Sequence, residues 1–169
     1  IFEVIEWADE YKPHHFHYKV TTNGTLMDEE FIDKADEHNL AIAISHDGVR
    51  EAHNAHRRFP EGQGTFDIVD ERLSMLLKRR PYAPVMLVVN PDEVDHYYSS
   101  VQHLWNKGAR YLICSLNYAG AWNDEKLGHL RKQYDLLLDW YLQLARAQEK
   151  IYFSPFDKRI ASHITPGLG

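Results

Sequence analysis

The sequence predicts an α/β fold in which parallel strands alternate with helices. Short apolar runs are separated by segments with a 3.6-residue apolar period, and the middle three runs are almost continuously apolar, as in strands covered on both faces. A repeating strand–helix–strand order joins parallel strands by right-handed crossovers. The pattern alone leaves open whether these strands form an open sheet or a segment of a barrel. The predicted strands are Phe16–Thr22, Ala41–Ser45, Pro84–Val89, Arg110–Ser115 and Ile151–Phe153.

Each predicted helix has apolar residues on one face and end signals that fit its position. The chain opens with a helix over residues 2–11, and a short helix follows Asp28. Thr65 is placed as the N-cap of the next helix, and Gly108 stands where a left-handed residue ends the one after. The last predicted helix follows Asn123 as its cap. The apolar stripes of the three longer helices comprise Phe66, Val69, Leu73, Leu76 and Leu77; Val94, Tyr97, Tyr98, Val101, Leu104 and Trp105; and Leu127, Leu130, Tyr134, Leu137, Leu138 and Tyr141.

Length and composition bound the class of protein. The 169 residues fit one domain, expected over residues 1–163, followed by a flexible tail at 164–169. A net charge of −6 argues against a nucleic-acid-binding surface, and the absence of a long apolar run argues against a membrane span. Cys114 is the single cysteine, so the sequence predicts no disulfide framework and no cysteine metal cage, and it favours a reducing compartment, the cytoplasm.

Polar residues gather at the ends of the predicted strands. In parallel α/β folds these carboxyl ends carry the active site, and hydroxyl and amide groups there suit the hydroxyls and carboxylate of a ligand. Taken singly, each could serve as an ordinary cap or turn, but their joint placement favours a site. Arg57 and Arg58 follow and could clamp a carboxylate, although a solvated surface pair is the simpler interpretation of the residues alone. The strand-end groups are residues 21–24, residues 45–48, Asn90, residues 115–118 and Ser154.

An ordered set of motifs resembles the central part of radical S-adenosylmethionine (radical SAM) enzymes. The set comprises "TTNGTLMDEEFID", "AIAISHDGVREAHNAHR" and "GQGTFDIV", with "LNYAGAW" and "YFSPFD" placed like later strand ends. The subfamily most similar carries a C-terminal SPASM extension and includes anaerobic sulfatase-maturating enzymes and maturases of ribosomally made peptides. The resemblance covers nearly the whole chain.

The resemblance implies a fold and a chemistry. The fold would be an incomplete (β/α)6 TIM-like barrel, here of about five strands. Such enzymes bind a [4Fe–4S] cluster through a CxxxCxxC loop and reductively cleave S-adenosylmethionine, and the resulting radical abstracts hydrogen from a peptide or protein substrate. The cofactor supplies the difficult chemistry, while the protein binds, orients and excludes water.

The resemblance also implies roles for particular residues in binding S-adenosylmethionine. Ser45 would hydrogen-bond the ribose and Arg57 would pair with the carboxylate. Asn23 would shape the floor of the site, and Asp47 would hold the turn. No catalytic residue is assigned. The adenine-side loop would comprise Leu116, Asn117 and Tyr118, with Trp122 as a possible substrate contact.

The chain also departs from the family pattern. His46 stands where an aliphatic residue is usual, and the CxxxCxxC loop and the Gly-Gly-Glu segment are absent. The chain looks like a piece that begins after the second strand of the barrel and stops before the SPASM cysteines. Because Cys114 cannot replace three cysteine ligands, the fragment alone is expected to assemble no cluster and to perform no radical chemistry.

Two other functions stay open. One is a zinc-dependent hydrolase, since zinc sites use clustered histidines completed by a carboxylate such as Asp47. The other is a non-catalytic interaction module that uses the many aromatic residues as a protein-binding surface. Separately, a barrel edge left exposed by truncation could pair with a second copy, and such a dimer would be an artefact of the cut. The histidines that suggest zinc are His14, His15, His17, His53 and His56.

Overall fold

The computed structural model describes residues 1–11 and 13–165. Of the predicted tail at 164–169, residues 166–169 lie outside the described part, and Ile164 is the last residue of the last helix. None of the described helices is long and apolar enough to cross a lipid bilayer. The strands are β1 (Lys19–Thr22), β2 (Ala41–Ser45), β3 (Val85–Val89), β4 (Tyr111–Leu116) and β5 (Tyr152–Phe153). The helices are α1 (Phe2–Asp9), α2 (Glu29–Glu37), α3 (Arg50–His56), α4 (Phe66–Arg79), α5 (Tyr97–Asn106, after a 3-10 turn at Pro91–His96), α6 (Asp124–Arg146) and α7 (Ser154–Ile164).

The five strands form one parallel sheet in the order β1-β2-β3-β4-β5. Each strand therefore pairs with the strand that follows it in the chain. A doubly wound sheet would reverse its strand order at a switch point, whereas right-handed crossovers without a reversal place every connecting helix on the same side. The structure confirms the predicted α/β fold and resolves it as a segment of a (β/α) barrel.

The two faces of the sheet differ sharply in composition. One face packs against the helices and holds the core side chains of the strands, including Ile44, Val85 and Leu112, which are fully buried. The opposite face is called here the open face. Because successive side chains of a strand point to opposite faces, the strand register shows which residues belong to it. Its side chains include small, hydroxyl and partly exposed groups, as expected for the inner surface of an incomplete barrel. Along the five strands the open face comprises Lys19, Thr21, Ala41, Ala43, Ser45, Met86, Val88, Tyr111, Ile113, Ser115 and Tyr152.

The helices are held against the sheet by the predicted apolar stripes. In α4, Val69, Leu73 and Leu76 are fully buried, and burial of each such side chain contributes about 1.5–3 kcal/mol. Leu104 in α5 and Leu137 in α6 are also fully buried. These stripes fix the helices behind the sheet, so the connecting loops emerge at its two ends.

The helix ends agree with the sequence at three positions and differ at one. The side chains of Asp28 and Asn123 accept hydrogen bonds from the first turns of α2 and α6, both at 2.8 Å, and Gly108 has a φ of 101°. Thr65 precedes α4 but makes no capping hydrogen bond there. Instead, Oδ1 of Asn54 in α3 accepts from the backbone N–H of Phe66 at 2.9 Å, which fastens α4 to α3.

Candidate functional site

The carboxyl ends of the parallel strands meet at one edge of the sheet, where barrels of this kind carry their sites. Ser45 is the last residue of β2 and lies half-buried on the open face. On the same face, Thr21 and Ser115 are exposed on β1 and β4. Three hydroxyl groups therefore lie on one solvent-accessible surface near the ends of their strands.

Asp47 lies just beyond Ser45 and joins three parts of the chain. It is 4% exposed, and its Oδ1 accepts a hydrogen bond from the backbone N–H of Val88 in β3 at 2.9 Å. Arg57, at the end of α3, donates from Nε to Oδ2 at 2.5 Å and from Nη2 to Oδ1 at 3.0 Å. Arg57 is therefore not a solvated surface group; within the described part of the chain its guanidinium makes only the two hydrogen bonds to Asp47, which leaves it further N–H groups.

Two buried histidines hold the backbone of the turn after β2. Nδ1 of His46 accepts from the N–H of Gly48 at 3.1 Å, and Nδ1 of His53 accepts from the N–H of Asp47 at 3.3 Å. Both side chains are fully buried, and their ring centroids are 4.6 Å apart. Two successive N–H groups of the turn, which a loop would otherwise expose to water, are thus satisfied inside the protein.

Gly48 also shows how tightly this turn is packed. Its φ of 94° is a left-handed value that favours glycine, and a Cβ added there would lie 2.0 Å from Cβ of Ser100 in α5. The hydroxyl of Ser100 accepts from the N–H of Val49 at 3.2 Å. The turn is therefore seated directly on α5.

The other ring nitrogens of the two histidines face polar side chains of α4 and the residue before it. Nε2 of His53 is 3.1 Å from Oγ1 of Thr65, and Nε2 of His46 is 3.4 Å from Oδ1 of Asp70. Burial lowers the pKa of His53 to about 3 and also lowers that of His46. Both rings are therefore neutral near pH 7.

Asp70 is surrounded by donor groups from the C-terminal end of α5 and from the turn after β2. His103 of α5 lies 2.7 Å from Oδ1, and Nζ of Lys107 donates to Oδ2 at 2.5 Å. Burial alone would raise the pKa of Asp70, yet the hydrogen bonds from Lys107 and His103, together with the nearby ring of His46, hold it well below its usual range. Asp70 is thus a carboxylate that anchors the histidine cluster to α5.

The same cluster is the place where a metal ion would have to bind. Within residues 1–11 and 13–165, the only group of three ligand atoms within 4.8 Å of one another is formed by His46, Asp70 and His103. In this part of the chain, the histidines that favoured zinc in the sequence belong to no such group; among them, His53 lies beside it, with its ring tilted by 56° against that of His46. Those residues are His14, His15, His17, His53 and His56.

The short loop after β1 exposes the side chain of Asn23. Oδ1 of Asn23 accepts from the N–H and the hydroxyl of Thr25 at 3.1 and 3.0 Å. These contacts shape the turn locally and leave the side-chain amide N–H groups of Asn23 at the surface, at the same end of the sheet as Ser45.

The loop after β4 has an ordered base and an exposed tip. Nδ2 of Asn117 donates to Oδ1 of Asn90 at 2.8 Å, and its backbone carbonyl accepts from the indole of Trp122 at 2.8 Å. Leu116 ends the strand on the helix-packed face, whereas Tyr118 is 87% exposed. The structure therefore brings Asn117 into the rim and leaves Tyr118 projecting into solvent.

The sequence did not indicate the groups that hold this site from behind. Thr65, Asp70, His103 and Lys107 come from α4, α5 and the residues at their ends, and each lies far along the chain from His46. The one available signal was His46 itself, a polar residue at the end of an apolar strand that requires buried partners.

The fold and this rim define a class: a segment of a parallel (β/α) barrel whose polar carboxyl edge faces an open inner surface, as in the radical SAM enzymes that the sequence resembles. No family model matches the chain. The chain is similar to the cysteine-type anaerobic sulfatase-maturating enzyme of Clostridium perfringens, at 26% identity over 102 residues, which is 60% of this chain and 28% of the relative. It is also similar to the enzyme of the same name from Clostridium novyi, at 28% identity over 79 residues, 47% of this chain and 21% of the relative.

The fold of the chain is also similar to that of solved structures. Native anSMEcpe with bound S-adenosylmethionine (AdoMet) superimposes with a TM-score of 0.79 at 21% identity, over 96% of this chain and 48% of that one. Native anSMEcpe with bound AdoMet and the Kp18Cys peptide gives 0.79 at 20% identity, over 97% and 49%. The structural likeness shows the fold, and the chain spans about half the length of these solved structures. Together the findings confirm the resemblance to radical SAM maturases and the partial barrel that it implied.

Proposed function

We propose that this chain is the S-adenosylmethionine-binding part of a radical SAM maturase that acts on a peptide or protein. The observation that carries the proposal is the open face with its polar carboxyl edge, in a fold that superimposes over nearly its full length on a protein with AdoMet bound. A structure of that protein also contains a peptide, which supports a peptide partner.

The residues at the rim suit the parts of S-adenosylmethionine. The hydroxyl of Ser45 can both donate to and accept from a ribose, and the free N–H groups of Arg57 can bind a carboxylate beside Asp47. Asn23 would contribute to the floor of the site. When bound in the full-length enzyme, S-adenosylmethionine supplies the radical chemistry, and these residues bind it, orient it and exclude water. The adenine side would be formed by Asn117, Tyr118 and the backbone of Leu116, whose side chain lies on the helix-packed face.

The residues present do not fit an iron–sulfur cluster. Cluster iron is bound by several thiolates, and Cys114 is the only cysteine of the chain. It lies on the helix-packed face of β4, where burial raises the pKa of its thiol to about 12. We infer that this chain by itself assembles no cluster and has no maturase activity.

Binding of S-adenosylmethionine to the chain tests the first part of the proposal. Isothermal titration calorimetry should give one saturable site, and Ser45→Ala should weaken it by roughly tenfold because one hydrogen bond is lost. Ser99→Ala is the matched control, since Ser99 is an exposed serine on α5. Absence of saturable binding, or equal affinities for the two variants, would contradict the proposal.

Anaerobic reconstitution with iron and sulfide tests the second part. The expected result is no stoichiometric visible absorbance after desalting, with Cys114→Ser indistinguishable from the unmodified chain. A stoichiometric cluster band that Cys114→Ser abolishes would show that the chain assembles a cluster.

A further inference from the structure

The strongest feature that the proposed function does not use is the pair of buried histidines behind the turn after β2. Their Nδ1 atoms accept hydrogen bonds from two successive backbone N–H groups, those of Asp47 and Gly48. A histidine at position 46 also departs from the aliphatic residue that the resemblance implies. Two polar rings are therefore buried in the core, although an apolar side chain at position 46 would carry no desolvation cost.

The hydrogen bonds fix which nitrogen of each ring carries the proton. A neutral imidazole that accepts at Nδ1 must carry its hydrogen on Nε2. For His53, Nε2–H then donates to Oγ1 of Thr65, whose own hydroxyl donates to the backbone carbonyl of Arg57 at 3.2 Å. For His46, Nε2–H faces Oδ1 of Asp70. The hydrogen bonds of both Nδ1 atoms and of His53 Nε2 have mutually consistent directions, and the approach of His46 Nε2 to Asp70, a contact and not a hydrogen bond, fits the same tautomer.

The surroundings keep the rings neutral. Burial lowers the pKa of both, and protonation would place a second proton on Nδ1, opposite a backbone N–H. The titratable and charged groups around the pair are Asp47, Asp70, Arg57, His103 and Lys107.

We propose that His46 and His53 are positioning residues that, as neutral Nδ1 acceptors, hold the turn at Asp47 and Gly48 and thereby set Ser45 and the Asp47–Arg57 pair. The turn is continuous with Ser45 at the end of β2, and Asp47 extends from it to Val88 and Arg57. The part of this inference that concerns ligand binding rests on the proposed function; the part that concerns the turn does not.

A divalent cation at His46, Asp70 and His103 is the competing use of the same groups. Coordination through Nε2 of His46 would require a lone pair there and a proton on Nδ1, which would replace the hydrogen bond from Gly48 by two facing N–H groups. The ammonium group of Lys107, already on Asp70, would also repel the ion. The geometry therefore favours the hydrogen-bonded network.

Two substitutions of His46 separate its two nitrogens. In His46→Asn the side-chain oxygen lies near the position of Nδ1 and can still accept from Gly48, whereas the longer amide of His46→Gln reaches towards Asp70 instead. Amide hydrogen exchange of Gly48 should stay close to that of the unmodified chain in His46→Asn and become roughly tenfold faster in His46→Gln. The reverse order, or equal rates, would overturn the proposal.

A measurement on the unmodified chain guards against variants that do not fold. Imidazole ¹⁵N NMR should show both rings as neutral Nε2–H tautomers at pH 7, unchanged by addition of Zn²⁺. Nδ1–H tautomers, or stoichiometric Zn²⁺ binding that shifts the His46 signals, would contradict the proposal and indicate a metal site.

The affinity for S-adenosylmethionine links the turn to the site. His46→Gln should weaken binding more than His46→Asn, although neither side chain lies on the open face. If the unmodified chain binds no S-adenosylmethionine, the proposed function fails, while the exchange and tautomer measurements still decide whether the histidines hold the turn.

Discussion

The loops after β2 and β4 leave the same edge of the sheet but are built in different ways. In the first, Asp47 is almost fully buried and its backbone N–H is bound by a histidine ring. In the second, Asn117 is tied to Asn90 at the base, whereas Tyr118 is 87% exposed. The first loop is fixed by groups from four elements, so it can hold a ligand in one geometry. The second has a free tip, which suits contact with a ligand or partner that arrives from solvent.

The largest effect is expected where the first loop is most crowded. Gly48→Ala should destabilise the chain by about 3 kcal/mol or more, because a left-handed φ costs roughly 1–2 kcal/mol and the added Cβ overlaps Ser100. Gly62→Ala is the matched control: its φ is 93° and nothing lies within 4 Å of the added Cβ. It should lose only about 1–2 kcal/mol in the free energy of unfolding measured with urea. Similar losses for both would mean that the loop after β2 is less tightly packed than the structure indicates.

Removal of the buried carboxylate should have the next largest effect. Asp47→Ala leaves Arg57 and the N–H of Val88 without their partner, and we expect a loss of about 2–4 kcal/mol. Asp47→Asn can still accept from Val88 and should lose less. Asp135→Ala, at an exposed position of α6, should stay within about 0.5 kcal/mol of the unmodified chain. Equal urea midpoints for Asp47→Ala and Asp135→Ala would contradict the role given to the pair.

The buried histidines predict a pH dependence of stability. The pKa of His53 falls from an ordinary 6.5 to about 3 on folding, so between these values the unfolded chain binds more protons than the folded one. The free energy of unfolding should therefore fall as the pH is lowered from about 6.5 towards 3, by up to about 1.4 kcal/mol per pH unit for this residue, and should not change from this source above pH 7. His46, whose pKa is also lowered, adds to the slope in the same direction.

Urea titrations at successive pH values measure this slope. His53→Asn keeps an acceptor for the N–H of Asp47 but has no titrating group, so its slope should be smaller. An equal slope in His53→Asn would assign the pH dependence to other groups.

The pattern of neighbouring residues in the sequence predicted the fold well, but it did not predict the buried contacts that hold the site in place. The strands followed from apolar runs, and the caps at Asp28 and Asn123 followed from residues adjacent to their helices. The contact of His46 with Asp70 could not be predicted in this way, because it depends on how α4 packs behind β2. Ser154 shows the same limit: the sequence places it at a strand end, but its hydroxyl also accepts from the N–H of Cys114 at the point where α7 begins.

The smallest effect on stability is expected at the tip of the second loop. Tyr118→Ala removes an exposed ring, so the free energy of unfolding should change by less than about 0.5 kcal/mol. If the ring covers the adenine of S-adenosylmethionine, as proposed, calorimetry should show a loss of affinity of a few fold to about tenfold, since stacking on an aromatic ring contributes roughly 1 kcal/mol. Tyr82→Ala is the control, an exposed tyrosine at the opposite end of the sheet before β3. Unchanged affinity would remove Tyr118 from the binding site, and a large loss of stability would show that its loop is as firmly held as the one after β2.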